Sequence, residues 1–135
     1  MPMRAVADSQ RIRSTFNGRG GGPCCRMVSN LPETLKVLPL LIVKLGDTIP
    51  DLAARRGGFE TWIAAALGDA PVRIVDPRFD AHGLPDPGEI SAAVVTGSRA
   101  MVTDRAAWSE TTARWLARVV AAGRPVLGIC YGHQL

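Results

Sequence analysis

No apolar run in this chain is long enough to cross a bilayer. The longest, Val37–Val43, contains Pro39, whereas a spanning helix needs about 20 apolar residues. The continuous apolar core of a secretory signal is missing too. Cysteine is scarce, with three residues in 135. Cys24 and Cys25 are adjacent, a poor arrangement for a mutual disulfide, and no C-x-x-C pair meets a second pair or histidines at metal spacing. A disulfide scaffold and a metal site are therefore not expected, and a reduced, cytoplasmic setting is. No P-loop, ATP-pyrophosphatase motif or dinucleotide fingerprint occurs. The glycine-dense stretch Gly18 to Gly22 lacks the strand and helix a phosphate loop requires, so no cofactor is expected.

The formal charge of +4 invites a nucleic-acid reading, but its distribution argues against one. Residues 1–37 carry six basic and two acidic side chains, and residues 38–135 carry ten of each. All the basicity lies in the leading segment, and the rest has no basic stripe to follow a phosphate backbone. Neither nucleic acid nor membrane is an expected partner.

Residues 1–36 are rich in Arg, Ser, Gly and Pro and hold no apolar periodicity. They read as a disordered tail, an Arg-rich transit-like leader, or an extension upstream of a start at Met27. From Val37 the pattern sharpens. Val37–Lys44 reads as a strand buried on both faces, with Pro39 at its start. Asp51–Arg56 and Phe59–Leu67 read as helices parted by Gly57-Gly58, with Phe59, Trp62, Ile63, Ala66 and Leu67 on one face. Val72–Val75 is a second strand, Asp76–Gly88 a proline-rich loop, and Ala92–Thr96 a third strand. Asp104 is placed as the cap of a short helical turn. Ser109 is placed as the cap of a helix running to Ala122, with Trp115, Leu116, Val119 and Val120 inward and Gly123 as its stop. Val126–Ile129 is a fourth strand. The alternation implies an α/β fold, a three-layer sandwich around a mostly parallel sheet. In such sheets function gathers at the carboxyl ends of strands, and Lys44–Asp47, Thr96–Ser98 and Cys130 all fall there.

The segment Gly128-Ile129-Cys130-Tyr131-Gly132-His133-Gln134-Leu135 carries the most chemistry. G-x-C-x-G after an apolar run has the form of a nucleophile elbow, where a strand ends, the chain turns sharply and a helix begins. Side chains in place of Gly128 or Gly132 would collide with the turn or with neighbouring strands. Unpaired N–H groups at a helix start favour a thiolate there. The bland alternative is a buried structural cysteine, the common fate of a lone thiol.

These eight residues resemble the active-site signature of class I (triad-type) glutamine amidotransferases, G-[ILV]-C-[YFL]-G-x-Q-[LM], at every position. Upstream, Val94-Val95-Thr96-Gly97-Ser98 is similar to the family's strand ending in S-G-G-P, with Thr96 for Ser, Ser98 for the second Gly and Arg99 for Pro. Gly46–Pro50 and Ser98–Trp108 look like stand-alone members similar to the amidotransferase domain of GMP synthetase. The resemblance spans residues 38–135, the first half of such a flavodoxin-like domain. It implies that Cys130 attacks the side-chain amide of glutamine, forming a glutamyl thioester and releasing ammonia to an acceptor on a synthetase domain or subunit. It assigns the oxyanion donors to the backbone N–H groups of Tyr131 and of Ser98, beside Gly97, and a substrate-holding role to Gln134. In the family, the base His and its orienting Glu follow downstream as an H-x-E motif that lies beyond this sequence, so the chain alone is expected to lack glutaminase activity.

His133 sits three residues after the nucleophile on the same short helix and is poorly placed to take its proton. His82 reads as a solvated loop residue. Lys44, Asp47, Asp104 and Arg105 stand near strand ends, where solvated or capping roles are commonest, and Trp62, Trp108 and Trp115 have the spacing of helix-face packing. Two other readings stay open. One is a cysteine hydrolase of the dienelactone or γ-glutamyl type, which shares G-x-C-x-G; the other is a non-catalytic remnant or binding protein. With no apolar face of their own, residues 1–36 are expected to be dispensable for folding. Deleting them should leave the thermal unfolding midpoint within a few degrees, and a large drop would contradict that.

Overall fold

In a computed structural model of the protein the described residues are 37–135, so the expectations about residues 1–36 lie outside them. Among these residues four short strands form one sheet: β1 (Leu40–Val43), β2 (Val72–Val75), β3 (Ala92–Val95) and β4 (Val126–Gly128). All pairings are parallel, and the spatial order is β2-β1-β3-β4. Leu40 stands in register with Val72 on one side and Ala92 on the other. The fold is α/β, as the alternation of elements implied.

The strand β1 is central because its residues suit two apolar faces. Leu41, Ile42 and Val43 are all fully buried. Leu41 and Val43 share a core with Ala93, Val95, Val75 and, from the helix α3 (Ala107–Ala121), Trp115, Leu116 and Val119. Alternation puts Ile42 and Val94 on the opposite face, and both are buried there. The helices α1 (Pro50–Arg56) and α2 (Phe59–Ala66) connect β1 to β2, and α2 packs on β1. Pro50 opens α1, where its missing N–H costs nothing. Gly57, at φ 78°, breaks the two helices apart.

Several boundaries differ from expectation for identifiable reasons. The strand β1 begins after Pro39, and Val37 is exposed. Asp104 does not cap its turn. It is the last residue of a 3-10 turn, Val102–Asp104, which Met101 precedes and Arg105 ends at φ 48°. Ser109 does not cap α3 either. The cap falls three residues earlier, at Ala106, and Ser109 lies inside, where its buried hydroxyl accepts a hydrogen bond from Tyr131. Val120 points outward and is 63% exposed. None of the α2 residues is buried, so its apolar face is only partly covered. The loop after β2 contains one further 3-10 turn, Pro87–Glu89, closed by a capping box between Asp86 and Glu89. Gly123 ends α3 at φ 70°, as expected of a left-handed stop.

Among the described residues no helix is long and apolar enough to cross a membrane. Trp115 anchors the core. It is buried, and its indole N–H donates to the Pro85 carbonyl at 2.7 Å. Trp115→Ala should therefore cost about 3–5 kcal/mol by cavity formation, and Trp115→Phe less, about 1–3 kcal/mol, chiefly for the orphaned carbonyl. Urea denaturation of both variants measures the difference.

Candidate functional site at the strand ends

The chain leaves β1 toward β2 in one direction and returns across it to place β3 on the other side. The sheet order thus reverses between β1 and β3, and the crevice above such a reversal is where ligands bind in open parallel sheets. The segments leaving β1 and β3 meet there. A side-chain Cβ at Gly46 would lie 2.6 Å from the Ser98 Cα and 2.9 Å from the Gly97 carbonyl, so only glycine lets the two backbones approach. Thr96, fully buried, ties them together: its hydroxyl accepts the Leu45 N–H at 2.9 Å and donates to the Gly97 carbonyl at 3.1 Å.

The third strand end brings Cys130. It stands between β4 and the short helix α4 (Tyr131–Gln134), with φ 52° and ψ −107°. A non-glycine residue in such a region costs about 1–3 kcal/mol and persists only when its surroundings over-determine it. They do. The Ile129 N–H donates to the Val95 carbonyl at 2.9 Å, extending the β3–β4 pairing to the turn. The Gly132 and His133 N–H groups donate to Ile129 and Cys130 carbonyls, both at 3.0 Å. Tyr131, 2% exposed, is driven into the interior. Its ring stacks on Trp108 with centroids 5.5 Å apart, and its hydroxyl donates to Ser109 at 2.8 Å.

The glycines around the turn are required by contact. A Cβ on Gly132 would lie 2.7 Å from the Val95 carbonyl oxygen and 2.8 Å from its side chain. A Cβ on Gly128 would lie 2.7 Å from the Gly132 carbonyl carbon and 2.8 Å from the His133 nitrogen. Gly97 differs. A Cβ there would meet Cys130 Cβ at 3.5 Å and Sγ at 4.0 Å, ordinary contacts, which places the loop after β3 directly beside the thiol.

Cys130 is exposed and opens into a cleft of about 320 Å³ lined by Phe59, Trp62, Ile63, Thr96, Gly97, Ser98, Arg99 and Ile129. Phe59 and Trp62 meet edge to face at 5.6 Å, and the Trp62 indole N–H is occupied by the Arg56 carbonyl, leaving ring surface to the cleft. A second, more polar cleft of about 680 Å³ adjoins it, sharing Ser98 and Arg99 and adding Asp47, Arg78 and Trp108. Asp47 is held between two cations. It accepts from Arg78 at 2.7 Å and from Lys44 at 2.9 Å, and Lys44 also reaches Glu60 at 2.9 Å. The Arg78 hydrogen bond, followed by that of Lys44, pulls the Asp47 carboxyl down to about 2. Burial pushes the Lys44 ammonium down, but its hydrogen bonds to Asp47 and Glu60 outweigh that and raise it overall.

Of the residues singled out in the sequence, Gly97, Ser98, Cys130, Gly128 and Gly132 come together. Tyr131 places its backbone at the turn and its side chain in the core. Gln134 and His133 are exposed on α4, and neither lines a cleft at Cys130. His82 lines a different cleft, with Arg114, Trp115 and Arg118. Asp104 is exposed, and Arg105 pairs with Glu110 at 3.1 Å. Among the described residues no group of three or more His, Cys, Asp and Glu is placed to hold a metal ion. Periodicity assigned Phe59 and Trp62 to packing and missed that they wall the cleft. It also missed Ser109 and Trp108 as the seat of Tyr131, since nothing local in the sequence marks a contact across 22 positions.

No family model, curated protein or solved structure matches this chain.

Gly128→Ala and Gly132→Ala should each lower stability by about 1–3 kcal/mol through overpacking against backbone, while Gly97→Ala should be close to neutral; urea midpoints test the contrast. Asp47 supports the fold in a defined pH window. Its native carboxyl lies below the unfolded value, so its contribution is complete above about pH 4 and fades as pH falls toward about 2. Asp47→Asn should thus be less stable than wild type at pH 7, by under about 1 kcal/mol for so exposed a group. That gap should close on acidification from pH 4 to 2.

Proposed function

We propose that the chain carries the nucleophile half of a glutamine amidotransferase site, in a three-layer, flavodoxin-like sandwich. The observation that supports it most is the backbone of Cys130, at φ 52° and ψ −107° between a strand and a helix, with the loop carrying Gly97 beside its sulfur. That is the geometry an elbow nucleophile needs, and it occurs at the one segment whose eight residues resemble the class I signature. In this reading the Cys130 thiolate attacks the side-chain amide carbon of glutamine. The negative charge that develops on the amide oxygen is met by the backbone N–H groups of Tyr131 and Ser98. The carbon–nitrogen bond breaks, and the amide nitrogen leaves as ammonia after taking a proton. Water then cleaves the thioester, giving glutamate and returning the thiol. The ammonia passes to an acceptor on a synthetase domain or subunit, in a cytoplasmic setting.

The roles of the flanking groups follow from their positions. Gly97 leaves the space beside the sulfur open for the amide, and Thr96 fixes the loop that presents the Ser98 N–H. Gln134 is assigned to the substrate by resemblance. The proton-transfer base that the resemblance implies belongs to an H-x-E motif further along such domains.

A glutamine-like chloroketone tests the reading. It should alkylate Cys130 in preference to Cys24 and Cys25, and millimolar glutamine should slow that alkylation at least severalfold, as read by peptide mass spectrometry. Equal labelling of all three thiols, or no protection by glutamine, would overturn it. Labelling protected instead by lactones or γ-glutamyl peptides would favour a cysteine hydrolase.

A further inference from the structure

Among the described residues, Arg99 is the one cation near the strand ends with no partner. Lys44 and Arg78 are consumed by Asp47, Glu60 and Asp76. Arg99 is exposed and makes no hydrogen bond or ion pair among the described residues, yet it lines both clefts that meet at Cys130. Its backbone is fixed. The Ser98 hydroxyl accepts the Ala100 N–H at 3.1 Å, closing a turn around Arg99, and Ser98 itself is pressed against Gly46. The turn is thus set and the guanidinium is free.

The cleft at Cys130 has a matching need. Its wall is Phe59, Trp62, Ile63 and Ile129, and Arg99 is the single ionisable residue lining it besides the thiol. At about 320 Å³ it lies at the small end of ligand clefts, which run from about 300 to 1,000 Å³. It suits a small substrate with an apolar middle. Such a substrate with a carboxylate at its far end would find one partner there.

We propose that Arg99 selects the substrate by binding its free α-carboxylate, so that the site takes an amide of an α-amino acid rather than a neutral amide. This rests on the reading of Cys130 as an amide-attacking nucleophile. The dimensions agree. In extended glutamine the amide carbon and the carboxylate carbon lie about 5 Å apart. Gly97 lies against the Cys130 sulfur, and Arg99 is two residues further, about 7 Å of chain at most. An arginine side chain reaches back over that distance, and its planar fork matches a carboxylate bidentately. The methylenes of the substrate then lie along Phe59 and Trp62.

The test compares two reagents on the full chain: the chloroketone analogue of glutamine, and its methyl ester, which lacks the negative charge. Both are timed at Cys130 by mass spectrometry in wild type, Arg99→Ala and Arg99→Lys. Wild type should react faster with the acid than with the ester at low reagent concentration. Arg99→Ala should raise the half-saturating concentration of the acid about tenfold or more, as loss of a charge-assisted hydrogen bond does, and affect the ester far less, so that the acid-to-ester ratio falls. Arg99→Lys should recover part of the loss. Equal slowing of acid and ester in Arg99→Ala would make Arg99 a mere part of the loop and overturn the proposal, as would an unchanged acid-to-ester ratio. If glutamine still protects Cys130 in either case, only the role of Arg99 falls. If glutamine gives no protection in wild type, the amidotransferase reading falls with it.

Discussion

The backbone of Cys130 is the constraint on which the rest of this structure turns. A cysteine at φ 52° and ψ −107° is unfavourable, and the surrounding fold is arranged to hold it. From below, Tyr131 is sunk between Trp108 and Ser109 of α3. From the side, the Val95 carbonyl takes the Ile129 N–H and leaves no room for a side chain on Gly132. Within the turn, Gly128 and Gly132 pack backbone on backbone. Each contact comes from a different element, so the position of the thiol depends on the pairing of β3 with β4 and on the seating of α3. This also explains why α3 starts before Ser109: the hydroxyl serves the turn, not the helix end.

A second set of contacts sets the floor of the crevice. The parallel sheet reverses its order between β1 and β3, and Gly46, Thr96 and Gly97 close the gap with backbone contacts and one shared hydroxyl. Above it, Lys44, Asp47 and Arg78 link the end of β1 to the segment after β2. These ion pairs are partly solvated and contribute modestly to stability. Their larger effect is on the charge near the strand ends, because they occupy two cations there, whereas Arg99 has no partner among the described residues.

The fold class was legible because apolar runs at β1, β2, β3 and β4 alternate with helical periodicity, and a run such as Leu41-Ile42-Val43 is apolar on both faces only where both are covered. The tight turn at Cys130 was legible because glycines at fixed offsets from a cysteine have a steric meaning, and a Cβ on Gly128 or Gly132 would meet backbone. Helix starts were not. Asp104 and Ser109 look like caps by residue type, but Ser109 has a partner 22 residues away, which no local pattern encodes. Spacing alone places Val120 inward and assigns Phe59 and Trp62 to packing, whereas Val120 is exposed and both aromatics line the cleft. In each case the helix period is right, but what lies opposite the helix depends on the tertiary arrangement. Arg99 carries no signal in the sequence beyond standing where the loop it resembles has proline.

Strain stored at Cys130 is directly measurable. In an ordinary position, glycine is less stable than alanine by about 0.5–1 kcal/mol because it loses more freedom on folding. At a strained positive φ the order reverses. Equilibrium denaturation of Cys130→Gly and Cys130→Ala compares them directly. Cys130→Gly should be the more stable, by about 1 kcal/mol after the entropic loss is set against relief of strain. If Cys130→Ala is the more stable instead, the turn is relaxed, and the thiol is not held at an elbow by the fold around it.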